Sequence, residues 1–144
     1  MSDFSWDNIS TRTSAAANPA GGAANINIKQ AAAGKRIKVY GVYLSYVRDA
    51  NAADVIFQCV VSDGTGNVAA TMTTTPLTAN NTGLIGGSLN GSNAAITSGT
   101  DQYITLPLPD CELSPGYSML VVFLNKQATD DCAAPRVIYK EASA

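Results

Sequence analysis

The stretch Ala31 to Val47, AAAGKRIKVYGVYLSYV, constrains the fold more than any other part of this chain. Small residues and Gly34 turn the chain, and a long alternating run follows. Ile37, Val39, Gly41, Tyr43, Ser45 and Val47 fall on one face, and Lys38, Tyr40, Val42, Leu44, Tyr46 and Arg48 on the other. Alternation with period two, in β-branched and aromatic residues, predicts one long strand. From Val42 onward both faces are apolar or aromatic, so both need cover. A second sheet supplies one cover, and another copy of the chain or a larger partner the other.

The rest of the composition agrees with an all-β chain. The 144 residues are 14% charged, against a usual quarter, and Glu112 and Glu141 are the only glutamates. Surface helices draw on Glu, Lys and Gln, whereas small polar residues suit strands and loops. Alternating or apolar runs centred near 25, 40, 58, 71, 85, 105, 121 and 138 predict about eight strands. Asp63-Gly64-Thr65-Gly66 supplies a hairpin turn, and Tyr117–Asn125 reads as a central strand. Between Pro76 and Thr100 repeated Gly and Asn weaken the pattern, and a variable surface excursion is expected, with Leu84-Ile85 and Ala94–Thr97 as candidate short strands. The expected architecture is a two-sheet β-sandwich over residues 24–144, jelly-roll first and immunoglobulin-like second.

Residues 1–23 differ in character. They are small and polar, with Asn18-Pro19 and Gly21-Gly22, and predict an extended, flexible arm. Phe4, Trp6 and Ile9 are its bulky residues, and Trp6 is the chain's only tryptophan. They read as anchors that order on a partner, with folding back onto their own domain as the alternative.

Several function classes lose their residues. The chain has no histidine, which removes Ser-His-Asp and Cys-His catalysis and histidine metal sites. No glycine motif leads into a helix to cradle phosphate. Asp110 with Glu112, and Asp130 with Asp131, are the close acid pairs, but neither follows a calcium-loop pattern. Cys59, Cys111 and Cys132 have no metal-ligand spacing; Cys111 and Cys132 lie in loop-like contexts where a pair is possible. The formal net charge of −2 disfavours nucleic acid. Lys29, Lys35, Arg36, Lys38 and Arg48 cluster, however, while the acids come later, which suits an acidic partner or head-to-tail contacts, with a solvated strand end as the alternative. No leader pattern follows Met1, and no apolar run reaches the length of a membrane span. The expectation is a protein that is not an enzyme and uses no cofactor, metal, nucleic acid or membrane.

Three features together resemble a known family. A low-complexity arm comes first; Gly34-Lys35-Arg36-Ile37-Lys38-Val39 opens the long strand; Pro115-Gly116 leads into the apolar run Tyr117–Leu124. In this arrangement, over residues 24–140, the chain resembles the jelly-roll head decoration, or cement, proteins of tailed bacteriophages. That resemblance implies a structural virion protein, made in the bacterial cytoplasm and carried on the capsid exterior. It implies a homotrimer that binds the major capsid protein, with the arm as anchor. Tyr40, Val42, Leu44 and Tyr46 are then the expected interface between copies. The alternative is a tail-fibre, receptor-binding or carbohydrate-binding β-sandwich, with its glycan surface in residues 76–100.

Overall fold

The computed structural model describes residues 8–13, 22–48, 54–78, 81–127, 129–132 and 135–144, the segments 8–13 and 22–30 by their backbone alone. The strands are β1 (Asn8–Thr13), β2 (Gly22–Gln30), β3 (Lys35–Val47), β4 (Ile56–Ser62), β5 (Asn67–Met72) and β6 (Thr82–Ser88). They continue as β7 (Ala94–Ser98), β8 (Asp101–Pro107), β9 (Glu112–Leu113), β10 (Ser118–Lys126), β11 (Asp131–Cys132) and β12 (Arg136–Ser143). No helix occurs among the described residues. A large sheet runs β1-β12-β3-β6-β8-β7, with β9 and β11 added on β3, and a small sheet runs β2-β10-β4-β5. The chain is an all-β, two-sheet sandwich. Its β6–β8 pair is parallel, a departure from the antiparallel Greek keys of a jelly roll.

The strands expected from the sequence are all present, with β2 at an edge and β10 central. The short strand suggested at Ala94–Thr97 is β7, and the structure adds β1 and the two-residue β9 and β11. The first of these alters the expected arm. Asn8–Thr13 pairs antiparallel with β12, Ile9 opposite Lys140, so part of residues 1–23 belongs to the large sheet. Ile9, Thr11 and Thr13 carry the alternation that marks it. Phe4 and Trp6 lie outside the described residues.

The long strand β3 corrects the expected faces. In its pairing with β12, Ile138 faces Gly41 but Tyr139 faces Val39, which leaves Tyr40 as an extra residue. This β-bulge shifts the alternation by one. Ile37 and Val39 point into the core before it, and Val42, Leu44 and Tyr46 after it. Val42, Leu44 and Tyr46, expected to meet a second copy, are therefore buried between the sheets of their own protomer. Tyr40 is half-buried at the bulge, with the Lys140 ammonium 5.2 Å from its ring centre. Gly41 fits the bulge because a Cβ there would come within 2.9 Å of the Tyr43 ring.

The core forms where the sheets meet. Tyr46 from the large sheet contacts Phe57 of β4 and Phe123 of β10, each with ring centres 5.3 Å away. Phe57 and Phe123 face each other across the small sheet at 5.5 Å, edge to face. Aromatic pairs in this geometry add to the burial of their area. The glycines of β6 also have packing reasons. A Cβ on Gly83 would lie 2.8 Å from Leu77, and one on Gly87 2.7 Å from Leu108. Leu77 and Leu108 come from the flanking connections and fill the space that these glycines leave.

Phe57 is 1% exposed at the centre of this cluster. Phe57→Ala is expected to lower the unfolding free energy by about 3–5 kcal/mol in urea denaturation. A loss below about 1 kcal/mol would mean that the sheets are not joined there.

Candidate functional site: an apolar groove on the large sheet

The charged residues resolve first. A basic cluster and later acids lie apart in the sequence, but the fold brings them together. β9 pairs with the start of β3, placing Glu112 opposite Lys38. Lys38 Nζ donates to Asp110 Oδ1 at 2.6 Å, and Arg36 Nη1 to Glu112 Oε2 at 3.5 Å. The hydrogen bond to Asp110 holds the Lys38 ammonium above its usual range. Asp110 and Glu112 are thus engaged with cations of β3 rather than converging on a substrate or metal.

Asp130 and Asp131 do not converge either. The Asp130 side chain is fully buried beside Arg48, whose Nε lies 3.6 Å from Oδ1, while Asp131 is exposed. Tyr46 OH and the Gln127 backbone N–H both donate to Asp130 Oδ2 at 2.9 Å. Arg48 Nη1 donates to the Leu77 carbonyl at 2.7 Å. Lys126 Nζ donates to the carbonyls of Gln127 and Asp130 at 3.1 and 3.2 Å. These bonds close one end of the sandwich by supplying donors to loop carbonyls that the fold has taken from water.

The turn at Asp63 explains itself in the same way. Its Oδ1 accepts from Thr65 N–H at 2.8 Å, Thr65 Oγ1–H at 2.7 Å and Gly66 N–H at 2.8 Å. The Thr65 hydroxyl first, then these backbone groups, hold the Asp63 carboxyl below its usual range. The carboxylate orders a hairpin rather than waiting for a cation. Among the described residues no group of three or more acids, cysteines or histidines is placed to hold a metal. All three cysteines are free, so Cys111 and Cys132 are not paired with each other.

The outer face of the large sheet is the surface left open. Register places Arg136, Tyr43, Gly86, Thr105 and Ala94 in one row across β12, β3, β6, β8 and β7. The adjacent row is Ser45, Leu84, Tyr103 and Ile96. Tyr43 is 46% exposed, Leu84 42%, Tyr103 44% and Ile96 68%. A solvated sheet face ordinarily carries polar residues, and this one carries two aromatic rings and, with Val47 at 47% exposure, three aliphatic side chains. Gly86 has no side chain, and the Tyr43 ring leans over it, 3.4 Å from where a Cβ would stand.

The result is a groove of about 400 Å³ lined by Tyr43, Leu84, Gly86, Tyr103, Thr105 and Arg136. Its size lies in the range of ligand-binding clefts. Its side chains offer apolar contact, two aromatic faces and one guanidinium, which is the chemistry of binding. None of these stands out as a site residue in the sequence. The alternation puts Tyr43 on the face opposite Val42, Leu44 and Tyr46, as it is, but the bulge that decides which face looks outward is not a local signal. The expected interface residues border the groove through Leu44 alone; Val42 and Tyr46 lie beneath the sheet and Tyr40 beyond the bulge. Of the expected arm anchors, Ile9 is in β1, opposite Lys140 of β12 and outside the groove's lining.

None of the protein-family models, curated proteins or solved structures compared with this chain matches it.

Burial, joined by the hydrogen bond to Asp130, pushes the Tyr46 hydroxyl far above its usual 10.0. Burial also pushes the Cys132 thiol to about 11 and the Cys59 thiol to about 12, from a usual 9.0. Each group stays protonated in the folded chain where it would ionise in the unfolded one, so stability falls as pH rises. Thermal unfolding is expected to show the loss beginning near pH 9 from the thiols and steepening above pH 10 from Tyr46. Tyr46→Phe is expected to be less stable at neutral pH, with a shallower decline above pH 10. An unchanged slope in that variant would count against the buried hydroxyl.

Proposed function

We propose that this protein is a structural binding module that seats on a larger protein through the outer face of its large sheet. The observation that carries the reading is the open cluster of Tyr43, Leu84, Tyr103 and Ile96 on the outer face of the large sheet. Contiguous apolar surface of this kind marks interaction sites. The long strand reads in the sequence as one that needs cover on both faces, and the protomer covers one.

The resemblance to phage head decoration proteins supplies the partner in this reading: the major capsid protein, on the outside of the virion. A protein that reinforces a shell needs many modest contacts rather than a reaction centre, and repetition over the shell supplies avidity. Charge plays a smaller part than the sequence suggested, because Arg36, Lys38 and Arg48 are engaged by acids of the same chain. Association with further copies belongs to the proposal. The three-fold state implied by the resemblance needs a surface other than Val42, Leu44 and Tyr46.

One observation favours a second reading. Tyr43 and Tyr103 share a groove with Arg136, and Leu84 and Gly86 of the 76–100 segment lie between them. Aromatic faces and a guanidinium also suit an oligosaccharide with a carboxylate, as a receptor-binding domain would take.

Co-sedimentation with undecorated heads of the phage that encodes the chain tests the first reading. The wild type is expected to bind saturably, and Leu84→Asp and a form lacking residues 1–7, which keeps β1, are each expected to bind about ten-fold or more weakly. Equal binding by wild type and Leu84→Asp would overturn the outer face as the seat. Absence of binding to heads, with oligosaccharide-induced shifts at Tyr43 and Tyr103 in NMR spectra, would transfer the proposal to the glycan reading.

A further inference from the structure

The free edge of the large sheet carries an inference beyond this reading, and it rests on the sandwich rather than on the capsid. β7, Ala94–Ser98, ends the strand order and pairs with β8 alone among the described residues. Its sequence AAITS has no charge and no proline, and all five residues are exposed. Ala95 lies opposite Ile104, which is 1% exposed, yet Ala95 itself is open to solvent. The small sheet therefore ends short of β7, and the strand projects past the sandwich with both faces uncovered. Edge strands are ordinarily guarded by lysine, proline, a bulge or a covering loop. β7 has no such residue or bulge along its length.

The hairpin fixes which backbone groups are open. Ser98 pairs with Asp101 across the two-residue turn Gly99-Thr100, with Gly99 at φ +61°. In such a turn the closing pair exchanges hydrogen bonds, and the pattern then alternates along the ladder. Ser98, Ile96 and Ala94 thus bond to β8, and Thr97 and Ala95 aim their N–H and C=O groups outward.

That pattern is complementary to itself. An antiparallel copy of β7 centred on Ile96 places Ala95 opposite the partner's Thr97, and Thr97 opposite the partner's Ala95. Each of these pairs exchanges two backbone hydrogen bonds. Ile96 meets the partner's Ile96 as the close, non-hydrogen-bonded pair on the two-fold axis. The side chains agree with the backbone, because Ile96 ends the apolar row of Leu84 and Tyr103. Pairing joins that row to its mate in one continuous apolar band. We infer that two copies of this chain associate edge to edge through β7, extending the two large sheets into a single sheet.

Light scattering with size-exclusion chromatography, over a micromolar concentration series, tests this on the full chain. The wild type is expected to run at twice the chain mass at the upper end of the series. Thr97→Pro removes an outward N–H at an edge position that tolerates proline, and Ile96→Lys puts a charge on the two-fold axis. Each is expected to raise the dimer dissociation constant about ten-fold or more while the circular dichroism spectrum stays that of the wild type. If Thr97→Pro fails to fold, Ile96→Lys, at a position 68% exposed, decides the matter. A wild type that is monomeric throughout overturns the inference, as does a trimer, or a dimer that a folded Ile96→Lys leaves intact. A wild type that is monomeric in solution yet binds heads saturably would leave the capsid reading standing without this pairing, so the two fail separately.

Discussion

Tyr46 is the residue on which most of this structure depends. Its ring is the large sheet's contribution to the aromatic cluster with Phe57 and Phe123, so it holds the two sheets at their packing distance. Its hydroxyl leaves that cluster to donate to Asp130, which in turn accepts from Gln127 and lies beside Arg48. One side chain thus joins an apolar core to a buried polar network. Removing an acid from such a network leaves a buried cation behind, which costs more than the pair contributes. The end of the sandwich near Asp130 is therefore tied to the sheet packing.

The inward position of Tyr46 follows from the bulge at Tyr40. Without it, the alternation that begins with Ile37 and Val39 would carry Tyr43 and Val47 into the core and turn Tyr46 outward. A single extra residue exchanges the two faces of the strand's second half. The core then receives Val42, Leu44 and Tyr46, and the outer face receives Tyr43, Ser45 and Val47. The exposed groove and the packed core are two consequences of one irregularity.

That irregularity also marks the limit of what the sequence discloses. The alternation in β3, the apolar run of β10 and the Asp63–Gly66 turn are local signals, and each gave the right element. Bulge position depends on the partner strand β12 and on the room beside Gly41, and neither is local. Gly83 and Gly87 read as turn punctuation because their reason, the side chains of Leu77 and Leu108, lies in other segments. The ion pairs of Lys38 with Asp110 and of Arg48 with Asp130 join residues far apart in the chain, so sequence order displayed a charge separation that folding removes. The groove draws Tyr43, Leu84, Tyr103 and Arg136 from four strands, and no window of the sequence contains it.

The central claim is that Tyr43 and Tyr103 face water in the protomer and are covered in the assembly, while Tyr46 is inside in both. Hydroxyl-radical footprinting of the tyrosines, on the free protein and on protein bound to phage heads, reads this directly. The account predicts oxidation of Tyr43 and Tyr103 in the free protein, protection of both on heads, and no modification of Tyr46 in either state. Equal oxidation of Tyr43 and Tyr103 on heads, or reaction of Tyr46 in the folded free protein, would contradict it.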